Sequence, residues 1–153
     1  MSAFVRTFMV LALVIVALAV APLVATAQSQ QETNKKLVVD FYEKAINQKD
    51  FEAASKYLGP RYTQHNPNAP DGPEGLKAFL GFLREKFPQS KSEIKRVFAE
   101  GDYVILHVHA VREPGQRGSA IVDIFKLENS KVVEHWDVVQ PIPEKAANSN
   151  GMF

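Results

Sequence analysis

The C-terminal half of the chain alternates apolar and polar residues with a period of two, and this pattern limits the possible folds more than any other feature. Short turn sequences, Gly-Asp, Pro-Gly-Gln-Arg-Gly and Asn-Ser, separate the alternating segments. A period of two predicts half-buried strands, and tight turns between them predict successive antiparallel hairpins. We therefore predict a four-stranded meander over residues 92–100, 103–113, 119–128 and 131–142.

The residues that precede the meander have the period of helices. Residues 34–50 place apolar side chains on one helical face, with Thr33 or Asn34 as the N-cap. A short second helix over residues 51–58 is predicted to be capped by Asp50 and to stop at Gly59-Pro60.

A segment rich in Pro, Asn and Gly follows and predicts a short extended piece near Tyr62 and then a loop. The third helix is predicted over residues 74–87, with Pro73 in its first turn and Pro88 after its end. Three helices followed by an antiparallel sheet predict an α+β domain. The helices would cover one face of a curved sheet and leave a cavity between the two layers.

The first 27 residues have the features of a signal peptide. Arg6 supplies a positive charge, residues 8–25 are apolar and uncharged, and Ala25-Thr26-Ala27 is a small-residue cleavage site. We predict cleavage after Ala27, so that residues 28–153 form the domain of a periplasmic or secreted protein. The apolar run is also long enough to span a bilayer, so a retained membrane anchor is the alternative.

The composition excludes several classes of function. The chain has 18 Lys and Arg against 17 Asp and Glu, and removal of Arg6 leaves 17 of each. This balance offers no basic face, so we predict no nucleic-acid partner. The absence of cysteine excludes disulfides, thiol catalysis and thiolate metal ligands. No P-loop, dinucleotide fingerprint or serine-hydrolase motif is present.

Polar side chains interrupt the apolar rows of the predicted strands. Asp123 is the only charge in a row with Ile121, Phe125 and Leu127, and His135 and Asp137 share a face of the last strand. His107 and His109 likewise share a face of their strand. Because consecutive hairpin strands are neighbours, we predict that one surface gathers Asp123, His135, Asp137, His107 and His109.

A carboxylate beside an imidazole on such a surface can transfer protons. Burial raises the pKa of a carboxyl group and a nearby imidazolium lowers it, so the balance can suit chemistry near neutral pH. Asp137 is the predicted acid/base residue, with His135, His107 and His109 as its catalytic partners. The residues predicted to bind the substrate are His65, Tyr62, Asn66, Asp123 and Phe125.

Other interpretations of these residues remain open. The aspartates could pair with solvated histidines on an exposed face, and His65 could be an ordinary loop residue. The His-x-His spacing at His107 and His109 is compatible with a divalent metal, although this spacing arises readily on any strand. We predict no metal and no other cofactor. Trp136 faces away from Asp137 and is predicted to pack or to contact a partner subunit.

Three stretches, YTQHNP, GDYVILHVHA and DIFKLENSKVVEHWDVVQ, resemble the SnoaL-like polyketide cyclase branch of the NTF2-like superfamily. The resemblance covers residues 34–141 and includes the order of helices and strands. It implies a cone in which a strongly bent antiparallel sheet, wrapped by helices, encloses an apolar pocket. It also implies a homodimer that forms through the outer face of the sheet.

The resemblance further implies a role for Asp137. This residue matches an aspartate that acts as acid/base in an intramolecular aldol condensation without metal or cofactor. Asp123 stands where the cyclases carry a histidine. Arg112 gives no convincing match to the Asp-Arg-Asp arrangement of the related limonene epoxide hydrolases.

The sequence thus predicts an exported acid/base enzyme acting on a small apolar carbonyl compound by aldol condensation, isomerisation or hydration. The alternative is a non-catalytic module that binds a ligand or a protein partner. A pocket filled by phenylalanine side chains would favour an interaction domain over both small-molecule functions; the candidates for filling it are Phe41, Phe79, Phe98 and Phe125.

Overall fold

The computed structural model describes residues 27–153. The predicted signal peptide, and the membrane anchor that is its alternative, fall on residues 1–26 and so lie outside the described range. Within residues 27–153, no helix combines the length and the apolar character that a membrane crossing needs.

Helix α1 runs from residue 27 to residue 42 and continues as a π-helical turn, Glu43–Asn47. The predicted N-cap at Thr33 or Asn34 is wrong, because the helix passes through both residues. The hydroxyl of Thr33 instead donates a hydrogen bond of 2.9 Å to the carbonyl oxygen of Ser29, one turn earlier.

Two shorter helices follow: α2, Phe51–Ser55, and α3, Gly72–Lys86. Asp50 caps α2 as predicted, since its Oδ1 accepts a 2.9 Å hydrogen bond from the backbone N–H of Ala53. The predicted end of α2 at residue 58 is wrong, because Leu58 already belongs to a strand.

Five strands form one sheet in the order β1-β5-β4-β3-β2. Strands β2 to β5 form the predicted antiparallel meander. Strand β1 runs parallel to β5, so the extended piece predicted near Tyr62 is a full edge strand that covers the free edge of β5. The strand bounds are Leu58–Gln64 for β1, Lys91–Glu100 for β2, Tyr103–Val111 for β3, Ser119–Glu128 for β4 and Lys131–Pro141 for β5.

The turn between β4 and β5, together with a β-bulge between Lys126 and Leu127, sets the register of the two strands. Asn129 and Ser130 both have positive φ values, 50° and 58°. Two central residues with positive φ are typical of a type I′ turn, which matches the twist of a tight hairpin. The turn pairs Leu127 with Val132, and the bulge then shifts the pairing by one residue, which places Asp123 opposite Asp137.

The core lies between the helices and the inner face of the curved, open sheet. Apolar side chains of β3 and β4 meet those of α1 and α3, and each of these residues is at least nine-tenths buried. The predicted α+β arrangement, with helices on one face of the sheet, is confirmed. The central members of this core are Val38, Phe41, Leu80, Leu83, Val104, Leu106, Val108 and Phe125.

Two glycines of α3 provide a matched test of how this helix docks. A Cβ atom at Gly75 would overlap the carbonyl oxygen of Pro70, whereas a Cβ atom at Gly81 would meet nothing within 4 Å. We expect Gly81→Ala to raise the free energy of unfolding by up to about 1 kcal/mol, because alanine favours the helix. Gly75→Ala should lower it, because the preceding loop must move. Denaturant unfolding measures both, and equal stabilisation by the two variants would contradict the close packing at Gly75.

Candidate active site

A cavity of about 500 Å³ lies between the helices, β1 and the inner face of the sheet. Phe41, Phe79 and Phe125 line it without filling it. Phe98, the fourth candidate for filling the pocket, is 55% exposed and is not among the lining residues. An open cavity with both apolar and polar walls is typical of a small-molecule site.

Three polar residues of the neighbouring strands β4 and β5 converge on this cavity. Asp123 pairs with Asp137 across the two strands, and Phe125 pairs with His135, so all four side chains share the inner face. Asp123, His135 and Asp137 line the cavity, and each offers a ligand atom within 4.8 Å of the others. These three residues therefore lie together on one surface, as predicted.

His107 and His109 lie on the opposite face of the sheet, and their predicted place beside Asp137 is wrong. The register of β3 against β4 puts Leu106, not His107, opposite Asp123. The two histidines therefore share the outer face with Val122, the partner of His107.

Both of these histidines have partners on the outer face. Nδ1 of His107 lies 3.1 Å from a guanidinium nitrogen of Arg96, and Nε2 of His109 lies 2.7 Å from the carbonyl oxygen of Arg117. Their rings also lie against the ring of Phe153, with centroids 5.2 and 4.8 Å apart. They are surface packing residues in this fold.

Asp123 and His135 form a buried pair on the cavity wall. Asp123 is 5% exposed and His135 is 8% exposed. Nε2 of His135 lies 3.0 Å from Oδ1 of Asp123, and Nδ1 lies 2.9 Å from Oε1 of Gln64. The same Gln64 oxygen accepts a 2.9 Å hydrogen bond from the backbone N–H of Asn66, which identifies it as an acceptor.

These contacts locate the protons of the pair. Because Nδ1 of His135 faces an acceptor, it carries a hydrogen. A second proton lies between Nε2 of His135 and Oδ1 of Asp123, since without it two lone pairs would face each other. Whichever partner holds this proton, the pair is electrically neutral and has one proton that can move.

The pKa of Asp123 is raised: burial is the largest cause, the contact with His135 opposes it, and the charge of Asp137 acts in the same direction as burial. Oδ2 of Asp123 has no hydrogen-bond partner among the described residues. Burial and the nearby Asp123 charge also raise the pKa of Tyr42 and of Tyr62. Both phenols therefore stay protonated and can donate hydrogen bonds.

The raised pKa of Asp123 predicts how stability depends on pH. The stabilisation from this group is complete below about pH 4, the ordinary pKa of aspartate, and is lost as the pH rises through the folded pKa. The groups that face it are His135, Asp137, Tyr42 and Tyr62. Asp123→Asn keeps a hydrogen-bonding group for His135 but removes the titration. In urea unfolding, the stability of the wild type minus that of the variant should fall as pH rises; a difference that grows with pH would contradict the shift.

Asp137 is oriented beside the buried pair. Its Oδ2 accepts a 2.8 Å hydrogen bond from Nδ2 of Asn66. The amide oxygen of Asn66 accepts from the backbone N–H of Asn68 at 2.8 Å, so the NH₂ group is the one that faces Asp137. A half-buried, oriented carboxylate on a pocket wall is well placed to exchange protons with a bound molecule.

The end of β1 and the loop after it divide their side chains between the two faces of the sheet. Tyr62 and Asn66 line the cavity as predicted. His65, which is also predicted to bind the substrate, does not line the cavity. Its ring stacks on Trp136, with centroids 4.4 Å apart, and its Nε2 lies 3.3 Å from Oε2 of Glu134. Trp136 is a packing residue on this outer face.

Gln64, Tyr42 and Arg112 line the cavity but are not among the predicted site residues. Gln64 reaches His135 because β1 pairs in parallel with β5, which no local pattern indicates. Tyr42 has the spacing of an ordinary helical core residue. Arg112 did carry a signal, because it continues the alternating inner row of β3 beyond Ala110.

Among residues 27–153, the group that could hold a metal ion is Asp123, His135 and Asp137. Both ring nitrogens of His135 already contact other side chains, so an ion would have to displace Asp123 or Gln64 from it. The His107 and His109 pair of the metal alternative is not part of this group.

Comparisons with known proteins agree with this architecture. The family model for SnoaL-like polyketide cyclase matches residues 36–146. No curated protein matches the sequence. Among solved structures, TsrD from Streptomyces laurentii is similar over 71% of this chain and 89% of its own, with a TM-score of 0.60 and 20% identity.

Two further structures show the same fold. A candidate polyketide cyclase from Acidithiobacillus ferrooxidans has a TM-score of 0.60 and 23% identity, over 70% of this chain and 87% of its own. An NTF2-like protein of unknown function from Cytophaga hutchinsonii has a TM-score of 0.57 and 22% identity, over 71% of this chain and 90% of its own. At these identities the likeness concerns the fold alone.

Proposed function

The chain belongs to the SnoaL-like polyketide cyclase family, with an NTF2-like fold, and on this basis we propose that it is a cofactor-independent acid/base enzyme for a small carbonyl compound. One observation carries the proposal. Asp137, oriented by Asn66, lies in an open cavity next to the neutral, proton-sharing pair of Asp123 and His135. Fold alone would not justify it, because related folds host unrelated functions.

In the proposed reaction Asp137 removes a proton from the carbon next to the substrate carbonyl. The electron pair of the broken C–H bond forms the carbon–carbon double bond of an enolate, and the negative charge moves to the carbonyl oxygen. The protonated hydroxyls of Tyr42 or Tyr62, or the proton of the Asp123–His135 pair, would stabilise that oxygen.

The enolate then has two routes. Its carbon can attack a second carbonyl of the same molecule, which forms the carbon–carbon bond of an aldol condensation. If the substrate carries a carbon–carbon double bond conjugated with the enolate, the far carbon of that bond can instead take the proton back and the double bond shifts, which completes an isomerisation. In both routes the proton held by Asp137 returns to the product, so the enzyme ends in its starting state.

A binding module without chemistry is the second candidate. The observation that favours it is the partner of Asp137, which is the amide of Asn66, while the histidine bonds to Asp123. A general base that is hydrogen-bonded to a histidine can pass its proton directly to the imidazole. Among the described residues, Asp137 has no hydrogen bond to a histidine.

Export and dimerisation complete the proposal. The apolar run before Ala27 supports export to the periplasm or medium, and N-terminal sequencing of the exported protein should begin at Gln28.

Exposed apolar side chains on the outer face of the sheet, among them Val138 at 68% and Phe98 at 55%, support a homodimer. Sedimentation should show a dimer, and a monomer at every concentration would contradict it.

A substrate screen tests the enzyme proposal. Purified protein would be incubated with dicarbonyl compounds, enones and epoxides, and product formation would be followed by NMR for the wild type and for Asp137→Asn. We expect the wild type, but not the variant, to convert carbonyl compounds. Binding without conversion would support the second candidate, and equal conversion by both proteins would exclude the role of Asp137.

A further inference from the structure

One end of the cavity is lined by a cation without an acidic partner. Arg112 follows β3 and lines the cavity. Its guanidinium carbon lies 5.7 Å from the ring centroid of Phe79 and 5.9 Å from that of Phe87. Within residues 27–153 no carboxylate forms an ion pair with Arg112; the neighbouring Glu113 accepts a hydrogen bond from Gln116 instead. A partly buried charge without a counter-charge is costly to the folded state.

A second cation strengthens the positive potential at this end. Lys49 is 5% exposed, and its Nζ donates to the carbonyl oxygens of Asn47 and Ser90 at 3.2 and 3.1 Å. Burial and the charge of Arg112 lower the pKa of Lys49. The charges of Arg112 and Lys49 therefore repel each other. The groups that accept hydrogen bonds from Lys49 are backbone carbonyls, which do not neutralise its charge as carboxylates would.

The negative charge of the cavity lies further along the sheet. Asp123 lies opposite Leu106, whereas Arg112 lies beyond the pair formed by Ala110 and Ser119 at the end of β3. Since the Asp123–His135 pair is neutral, Asp137 carries the net negative charge there. An elongated molecule with one anionic end would therefore bind in a single direction, with its anion at Arg112 and its other end at Asp137.

We propose that the substrate is a keto acid, whose carboxylate is bound by Arg112 while its carbonyl group lies at Asp137. This inference rests on the proposed function and narrows its substrate class from small carbonyl compounds in general to those that carry a carboxylate. Guanidinium matches the planar carboxylate with two parallel hydrogen bonds. The rings of Phe79 and Phe87 shield the guanidinium from water, which strengthens such a contact. Ser119 also lines the cavity and can add a hydroxyl donor.

Binding of matched ligands tests the inference. Methyl-ketone acids of increasing chain length and their methyl esters would be titrated into the protein by calorimetry. We expect the best acid to bind wild type about 10- to 100-fold more tightly than its ester, the effect of one hydrogen-bonded charge pair. Arg112→Met should bind acid and ester equally, with ester affinity unchanged, which also shows that the variant is folded. Arg112→Lys should keep part of the preference.

Arg96→Met is the matched control, because Arg96 lies on the outer face beside His107 and should leave the preference unchanged. Equal affinities of wild type for acid and ester, no binding of either, or a preference that survives in Arg112→Met would overturn the inference. Turnover plays no part in this assay. If the protein prefers the acid but never converts it, the result contradicts only the proposal that the protein is an enzyme. If the protein converts neutral ketones and does not prefer the acid, the result contradicts only the inference that the substrate is a keto acid.

Discussion

Asp137→Asn should lower kcat by about 10²- to 10⁴-fold, because a positioned general acid/base usually contributes a factor of this size. Asparagine has nearly the same shape as aspartate, and its amide oxygen can still accept the hydrogen bond that Asn66 donates. The pocket should therefore keep its geometry. We expect the dissociation constant of the substrate to change little while the rate collapses.

Glu134→Gln is the matched control for this variant. Glu134 lies on the same strand but on the outer face, where it contacts Lys126 at 3.0 Å and His65 at 3.3 Å. Its replacement should leave kcat and the affinity for substrate unchanged. Steady-state kinetics of the three proteins make the comparison. An equal loss in both variants, or a loss confined to binding in Asp137→Asn, would rule out proton transfer by Asp137.

His135→Ala should have the largest effect on stability, about 3 kcal/mol of lost unfolding free energy. It removes the imidazole that bonds to the buried carboxyl of Asp123, and breaking such a pair usually costs about 3–5 kcal/mol. The expected value lies at the low end because Asp123 can take up a proton instead. The loss also includes the packing of the imidazole on Phe125, whose ring centroid is 4.7 Å away.

A double replacement separates the polar contact from the packing. Asp123→Leu with His135→Phe converts the pair to apolar side chains, and such exchanges are often neutral or stabilising when both partners change together. We expect the double variant to be more stable than the sum of the two single effects predicts. Urea unfolding of the four proteins measures the coupling, and simple additivity would show that the two side chains do not depend on each other.

Much of the meander could be predicted from the sequence because strand alternation is a local property. The bounds of β4 agree with the prediction, since Asn129 and Ser130 mark the turn clearly. The shared face of His135 and Asp137 follows from alternation along one strand, which the sequence shows directly. Asp123 joins that face only because a bulge between Lys126 and Leu127 shifts the pairing by one residue; the two-residue turn alone would place Trp136 opposite Asp123.

The sequence could not predict the register of β3 against β4, because a longer loop connects these two strands. A shift of one residue moves every side chain to the other face, and the loop over residues 112–118 does not reveal the register. This is why the predicted face of His107 and His109 is wrong. The parallel pairing of β1 with β5 is equally non-local, and it determines both the contact of Gln64 with His135 and the position of His65.

The most direct test of the central claim is the exchange of solvent deuterium into the carbon next to the carbonyl of a bound methyl-ketone acid. NMR in D₂O measures this exchange under conditions in which the compound saturates the protein. We expect wild type to exchange the proton well above the rate in buffer and Asp137→Asn to exchange it at the buffer rate. Buffer-rate exchange by wild type with the compound bound in the pocket, or equal exchange by both proteins, would contradict an acid/base role for Asp137.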